Sequence, residues 1–241
     1  MDYGIQMYSV RDLTGRDLRG ALKAVADIGY KYVEFAGFFG FAAKEIKGWL
    51  DELGLVVSGT HTGLRDIEND VDAAIEYHKA LGNSRIIIPG HDLNNQQKLD
   101  AFVEKVNKIQ PVLEKAGISL GFHNHSGEFL PNKDGSMIHE QLVYRTNLRI
   151  EIDTFWYYNA TGISSRGILE RLKDRIDCVH IKDGLRGGEG KPLGYGTAPL
   201  RDAYQCSKEL GKLMIVESES LRPDGVTEAK LCYDWLKAQE K

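Results

Sequence analysis

The segment Asp177-Cys178-Val179-His180-Ile181-Lys182-Asp183-Gly184 carries the pattern that decides the fold. Apolar Val179 and Ile181 alternate with polar residues, so His180 and Lys182 lie on the same face of a predicted strand. A strand in a parallel barrel packs its outer face against helices, which requires apolar side chains there, and turns the alternate residues inward. The segment therefore predicts a barrel strand whose ionisable residues point into the barrel.

Seven further runs of β-forming residues lie along the chain, and amphipathic helical patterns separate them. This alternation is typical of βαβ units and a parallel sheet. The eight predicted strands cover residues 4–10, 32–37, 56–62, 85–91, 119–125, 148–156, 177–184 and 213–220. The helical patterns include 16–28, 42–53, 70–81, 95–116, 164–175 and 198–210. Glycines expected to cap helices in the left-handed conformation precede five strands, at Gly29, Gly54, Gly82, Gly117 and Gly211.

The length of 241 residues agrees with the roughly 250 residues typical of a (β/α)₈ barrel. We therefore predict an α/β protein that forms a single (β/α)₈ TIM barrel domain over residues 1–241. An open doubly wound sheet is the structural alternative. It is less favoured because the glycine fingerprint of a dinucleotide cofactor does not follow the first predicted strand.

The composition and net charge of the chain limit the classes of molecule that it is expected to bind. The net charge is -4 and the sequence has no dense run of Lys and Arg, which argues against nucleic acid as a partner. No apolar stretch approaches the roughly 18 residues of a membrane span. The three cysteines, Cys178, Cys206 and Cys232, are too few and too far apart for a disulfide framework, and we expect small buried side chains. These features predict a cytoplasmic enzyme acting on a small molecule, with homo-oligomerisation left open.

Five of the seven histidines fall toward the C-terminal ends of predicted strands: His61, His91, His123, His125 and His180. Glu34, Asp153 and Glu217 join them there. Active sites of TIM barrels are built at this rim. Burying so many ionisable groups without a partner would be costly, and a metal ion supplies one.

The strongest predicted metal set consists of Asp153, His180 and Glu217, with a fourth ligand from the fifth strand, where we favour His123. Carboxylate oxygen and imidazole nitrogen suit Mn²⁺, Mg²⁺, Co²⁺ or Zn²⁺. Thiolates are missing from the set, which argues against a structural zinc site. The sequence does not distinguish among these metals.

Several motifs together resemble the sugar phosphate isomerase/epimerase family, whose members have a xylose-isomerase-like barrel. The resemblance spans nearly the whole chain and rests on GIQMYSVRD (4–12), YVE (32–34), FHNH (122–125), IEIDTFW (150–156), VHIKDG (179–184), LGYGT (193–197) and IVE (215–217). It implies a divalent metal and an acid/base pair that acts on the carbon next to a carbonyl. Many relatives have Glu-Asn-His where this chain has His123-Asn124-His125, so one of the two glutamates used by such epimerases is missing.

The resemblance suggests roles for further residues. We expect Glu217 and His125 to transfer protons, and Lys182 to stabilise an oxyanion or contact a phosphate. Glu34 is expected to orient His61 or a sugar hydroxyl, and His61 and Trp156 to contact the sugar. The expected reaction is isomerisation or epimerisation of a sugar, sugar phosphate or keto sugar through an ene-diolate. A keto-sugar lyase or dehydratase would use the same site. An apurinic-endonuclease-like hydrolase and a non-catalytic sugar-binding barrel are weaker alternatives.

Overall fold

Eight parallel strands close into a barrel in the computed structural model, which describes residues 1–240. The barrel strands are β1 (Gly4–Gln6), β2 (Tyr32–Ala36), β3 (Val56–His61), β4 (Arg85–Ile88), β5 (Ser119–His123), β6 (Arg149–Asp153), β7 (Ile176–Ile181) and β10 (Leu213–Val216). They lie side by side in chain order, and β10 pairs with β1 to close the ring. Two short strands, β8 (Asp183–Gly184) and β9 (Gly190–Lys191), form an antiparallel pair outside the barrel. The predicted TIM-barrel fold is confirmed.

Helices connect the strands. They are α1 (Arg11–Thr14), α2 (Leu18–Ile28), α3 (Ala43–Leu53), α4 (Leu64–Asn69), α5 (Val71–Leu81), α6 (Gln96–Lys115), α7 (Ile138–Arg145), α8 (Thr154–Thr161), α9 (Arg166–Arg171), α10 (Leu200–Glu209) and α11 (Gly225–Ala238). The six predicted helical patterns correspond to α2, α3, α5, α6, α9 and α10. None of the described helices combines the length and apolarity that crossing a membrane requires.

The alternation within β7 agrees with the predicted barrel geometry. Val179 and Ile181 are fully buried in the large apolar cluster that also contains helix residues such as Leu200 and Tyr204. His180 lies between these two residues, and Lys182 follows Ile181. Both are equally buried but contact polar residues of other strands. The apolar side chains of the strand thus pack on helices, and the polar side chains occupy the barrel interior.

Several strands are shorter than predicted because their last polar residues cap the helix that follows. The Gln6 side chain accepts a hydrogen bond from the backbone N–H of Tyr8, and a 3₁₀ helix replaces the predicted strand over Met7–Val10. Asp153 likewise accepts from the N–H of Trp156 at 2.8 Å, so α8 begins at Thr154. Trp156 therefore lies in a helix rather than in a strand.

All five glycines predicted as helix caps have positive φ, between 64° and 119°. Gly29, Gly54 and Gly82 directly follow α2, α3 and α5. At Gly29 the space is also restricted, because an added Cβ would lie 2.7 Å from the Tyr233 hydroxyl oxygen. These glycines allow each helix to end abruptly and the chain to return to the bottom of the barrel.

Candidate active site

Four buried residues at the C-terminal end of the barrel form the upper layer: His123, Asp153, His180 and Glu217. They come from β5, β6, β7 and the end of β10, and one ligand atom of each lies within 4.8 Å of the others. His123 Nε2 is 3.6 Å from Asp153 Oδ2 and 4.0 Å from Glu217 Oε2. His180 Nδ1 is 3.5 Å from Glu217 Oε2. The predicted metal set is thus brought together.

Four atoms of the upper layer have no hydrogen-bond partner although they are buried: His123 Nδ1 and Nε2, Asp153 Oδ2 and His180 Nδ1. Buried polar atoms are rarely left unpaired in proteins. Their separations exceed normal hydrogen-bond lengths. Ligand atoms that each lie about 2.0–2.2 Å from a shared tetrahedral metal are separated by roughly 3–4 Å, which agrees with the distances seen here. The residues present therefore fit a divalent metal.

Strand register explains why these residues meet. Asp153 pairs with His180 across β6 and β7, so both stand at the same height in the barrel. Asn124 fixes Asp153 from β5, because its side-chain oxygen accepts a hydrogen bond from the Asp153 N–H at 3.0 Å. The upper layer is held in place by backbone pairing rather than by contacts among its own side chains.

A lower layer, formed by Glu34, His61 and Glu151, lies beneath the upper layer. Its glutamates contact Nε2 of His180, the ring nitrogen that does not face the upper layer. His61 Nε2 lies 2.8 Å from Glu151 Oε2, and His180 Nε2 lies 2.8 Å from Glu34 Oε1. In contrast to the upper layer, these separations are hydrogen bonds. Burial alone lowers the pKa of His61, but Glu34 and Glu151 outweigh this and raise its pKa to about 9.

Lys182 lies at the side of the upper layer and is fully buried. Its ammonium is 2.8 Å from Glu217 Oε2, 2.7 Å from Glu219 Oε2 and 4.8 Å from the ring centre of Trp156. Burial alone lowers the pKa of Lys182, but Glu217, Asp153 and Glu219 outweigh it and hold the pKa above its usual range. Lys182 therefore carries a positive charge beside the site.

The electrostatics differ between the two upper-layer histidines. Burial, followed by the charges of His180 and His61, lowers the pKa of His123 well below its usual value, so this imidazole is neutral at pH 7. Burial also disfavours charge on His180, but Glu151 and Glu34 outweigh it and raise its pKa well above the usual value. His123 is already in the form that ligates metal, whereas His180 must lose a proton to do so.

A cavity of about 360 Å³ opens above the upper layer, at the small end of the roughly 300–1,000 Å³ range for small-molecule sites. It is lined by Tyr8, Ala36, His61, Pro89, His123, His125, Glu217 and Glu219. The His125 ring lies 5.0 Å from that of His123 and 5.7 Å from that of Trp156. A ligand in this cavity would contact two upper-layer residues directly.

Three of the residues singled out from the sequence do not line the cavity. Glu34 is fully buried in the lower layer and is not among the residues that line the cavity. Trp156 packs over Lys182 and beside His125. His91 lies beyond the end of β4, is exposed, and packs its ring 5.0 Å from that of Phe102, so it does not join the other rim histidines.

The structure adds two residues to the predicted site. Glu219 lines the cavity and holds Lys182, and Glu151 lies in the lower layer. The alternation of polar and apolar residues in each segment indicates that both side chains point inward. Glu219 lies on the same strand face as Glu217, and Glu151 lies on the same face as Asp153. Alternation predicts that a side chain points inward but does not predict which partner it meets.

Comparison with known proteins identifies the family of the chain. Residues 22–239 match the model of the xylose isomerase-like TIM barrel family. The chain belongs to this family. Among relatives of this xylose isomerase-like barrel, 2-oxo-tetronate isomerase of Haemophilus influenzae is 26% identical over 182 residues, which cover 64% of this chain and 68% of that protein.

Solved structures share the same architecture. A sugar phosphate isomerase/epimerase from Parabacteroides distasonis superposes with a TM-score of 0.85 at 22% identity, covering 98% of this chain and 93% of that one. An L-ribulose 3-epimerase gives a TM-score of 0.76 at 16% identity, covering 99% and 94%. At these identities the likeness establishes the fold.

Proposed function

We propose that the protein is a divalent-metal-dependent sugar isomerase or epimerase that removes a proton from the carbon next to a carbonyl. The observation that carries this proposal is the set of unpaired atoms on His123, Asp153 and His180, directly below a cavity of sugar-binding size. The names of the related proteins support the reaction class. The upper layer provides the ligand set, and the cavity provides the place for substrate.

A divalent metal bound by His123, Asp153, His180 and Glu217 would polarise substrate oxygens and stabilise the charge of an ene-diolate. The protein's own groups perform the proton transfers. Glu217 and His125 both line the cavity and are the proposed acid/base pair. Burial raises the pKa of Glu217, but Lys182 and His180 outweigh it and hold the pKa well below its usual value, so Glu217 is ionised.

Lys182 and Glu219 complete the proposed site. The Lys182 ammonium lies against Glu217, where it can offset negative charge that develops on substrate oxygen. Glu219 holds Lys182 from the cavity side at 2.7 Å. His123 stands where many relatives have a second glutamate, so the proposed acid/base pair consists of one carboxylate, Glu217, and one imidazole, His125.

The charge of the cavity favours an unphosphorylated keto sugar. Within residues 1–240, two carboxylates line the cavity and neither Lys nor Arg does. Arg11 lies nearby, but its guanidinium donates to the backbone oxygens of Tyr8 and Glu219 at 3.0 and 2.7 Å. A phosphate dianion would meet Glu217 and Glu219, and no Lys or Arg in the cavity lining offsets that repulsion.

Deuterium wash-in tests the proposal. The protein loaded with Mn²⁺, Mg²⁺, Co²⁺ or Zn²⁺ is incubated in D₂O with free keto sugars and their phosphates, and exchange next to the carbonyl is followed by NMR. Wash-in reports proton abstraction whichever product forms. We expect exchange with a free keto sugar and slower exchange with its phosphate.

Two variants provide the comparison for this assay. His125→Gln should slow the exchange by roughly 100- to 10,000-fold, the usual contribution of a general acid or base. His91→Gln, the same substitution outside the cavity, should leave it unchanged. Metal-loaded protein that exchanges no sugar proton would overturn the proposed proton abstraction, and faster exchange with the phosphates would reverse the assigned substrate class.

A further inference from the structure

The proposed reaction leaves the lower layer without a role. Glu34 and Glu151 are at most 2% exposed, and neither lines the cavity. Burying two carboxylates in a barrel interior costs free energy unless each is paired. Natural barrels fill this space with branched apolar side chains, so two glutamates here require an explanation.

Contact distances separate the lower layer into two pairs. His180 Nε2 lies 2.8 Å from Glu34 Oε1 and 3.2 Å from Glu151 Oε2. His61 Nε2 shows the opposite preference, at 2.8 Å from Glu151 and 3.1 Å from Glu34. Each imidazole Nε2 carries a single hydrogen, so the shorter contacts are its donor bonds. Glu34 thus accepts from His180, and Glu151 accepts from His61.

Glu34 is itself held from the opposite side. Gln6 Nε2 donates to Glu34 Oε1 at 2.8 Å, while the Gln6 side-chain oxygen accepts from the Tyr8 backbone N–H at 3.0 Å. Gln6 and Glu34 are also register partners on β1 and β2. The Glu34 carboxylate therefore has a defined position before His180 contacts it.

The hydrogen bond from His180 to Glu34 has a consequence for the upper layer. When Nε2 keeps its hydrogen for Glu34, the nitrogen of His180 left to bind a metal is Nδ1. This is the atom that faces Glu217 at 3.5 Å and has no hydrogen-bond partner. Carboxylates that accept the second ring N–H of a metal-binding histidine fix its tautomer and its orientation.

We propose that Glu34 is a positioning residue that presents Nδ1 of His180 to the metal, with Gln6 holding Glu34 in place. This inference rests on the metal-dependent function proposed above. Glu151 has the same chemistry and is equally buried, but its shorter contact is with His61, which lies outside the upper layer, and it lies farther than Glu34 from His180 Nε2, at 3.2 Å. Glu151 is therefore a matched internal control.

The first experiment measures metal affinity. Dissociation constants for Zn²⁺ and Mn²⁺ are determined by chelator competition for the wild type, Glu34→Gln and Glu151→Gln. The two substitutions remove the same charge from the same layer and keep the side-chain volume. We expect Glu34→Gln to weaken binding by roughly 10- to 100-fold, the usual cost of losing such a partner. Glu151→Gln should weaken it by much less.

The second experiment determines which ring nitrogen of His180 carries the proton and which binds the metal. Its main measurement uses the wild type, so it does not depend on the folding of a variant. In the Zn²⁺-loaded wild type, ¹⁵N NMR should show His180 with a proton on Nε2 and the metal on Nδ1. The reverse assignment would overturn the proposal. In the metal-free protein the Nε2 proton of His180 should resonate downfield, and should shift more in Glu34→Gln than in Glu151→Gln.

The outcomes separate this inference from the function on which it rests. A wild-type protein that binds neither metal overturns the proposed metal-dependent function. Metal binding by the wild type, together with an unchanged affinity in Glu34→Gln, overturns only the positioning role of Glu34. Equal losses in Glu34→Gln and Glu151→Gln would show a general effect of charge in the lower layer, and would also overturn it.

Discussion

The upper and lower layers of this barrel contain the same side-chain types but differ in their hydrogen bonding. The side chains of the lower layer are hydrogen-bonded to their neighbours, whereas those of the upper layer lie too far apart to bond to one another. In the lower layer, nitrogen and oxygen atoms of Glu34, His61, Glu151 and His180 lie 2.8–3.2 Å apart. In the upper layer His123 lies 3.6–4.0 Å from Asp153 and Glu217, and His180 lies 3.5 Å from Glu217. Four buried atoms of the upper layer have no hydrogen-bond partner, against one, Glu34 Oε2, in the lower layer. A satisfied buried network makes a site rigid, whereas an unsatisfied one requires a further group.

Local backbone differences create this contrast. Glu34 is paired with Gly59 across β2 and β3, where an added Cβ would lie 3.1 Å from Glu34 Oε2 and 2.7 Å from Ile87 Cδ1. The glycine leaves room for a glutamate to fold down into the barrel. In the upper layer Asp153 instead uses Oδ1 to cap α8, which leaves Oδ2 free to face the other ligands.

The largest expected effect is the loss of the upper layer's metal. Asp153→Asn and His180→Ala should both abolish stoichiometric metal binding and catalysis, as elemental analysis and the exchange assay would show. Asn still caps a helix, so the thermal stability of metal-free Asp153→Asn should exceed that of Asp153→Ala, which also loses a cap of about 0.5–2 kcal/mol. Unchanged metal content in both variants would remove these residues from the site.

Lys182→Met should produce the next largest effect, because it leaves three carboxylates without their cation. Removing one partner from a buried ion pair costs about 3–5 kcal/mol. We expect a loss of this size in the free energy of unfolding of the metal-free protein, measured with urea. Added Mn²⁺ should restore part of it by supplying positive charge to Asp153 and Glu217. Full stability without metal would show that the carboxylates do not depend on Lys182.

The pH dependence of metal binding sharpens the comparison, since His180 belongs to both layers. Its pKa is raised, so the metal competes with one proton and the dissociation constant should increase about tenfold per pH unit below that pKa. His123, whose pKa is lowered, should contribute no proton near neutral pH. Calorimetry in buffers of different ionisation enthalpy counts the protons released, and two protons would contradict this assignment.

His123→Glu should give the smallest change. It adds a carboxylate to the upper layer, and we expect metal to bind about tenfold more tightly, or ~1.4 kcal/mol. His125→Glu places the same charge at the end of the same strand but outside the ligand set, and should change affinity less. Titrations with Mn²⁺ from pH 5.5 to 7.5 compare the two variants. Equal affinities would indicate that His123 is not a ligand.

Alternation within strands was enough to predict the barrel and most of the site. The inward face of β6 and β7 contains Glu151, Asp153, His180 and Lys182, and all four meet in the interior. The same reasoning placed Glu34 beside His61 or at a sugar hydroxyl, and His91 at the rim. Glu34 contacts His61 and does not line the cavity, since alternation predicts the direction of a side chain but not its depth. His91 lies away from the other histidines because β4 ends at Ile88.

The amino-acid sequence by itself determined the fold and the chemical types at the mouth of the barrel, because strand and helix periodicity and glycine caps are local properties of the chain. The tertiary structure alone decided which groups are paired and which are free. His180 shows the reason most clearly. Its two ring nitrogens face different layers, and only the register of β7 with its neighbours decides that Glu34 occupies one nitrogen and leaves the other available.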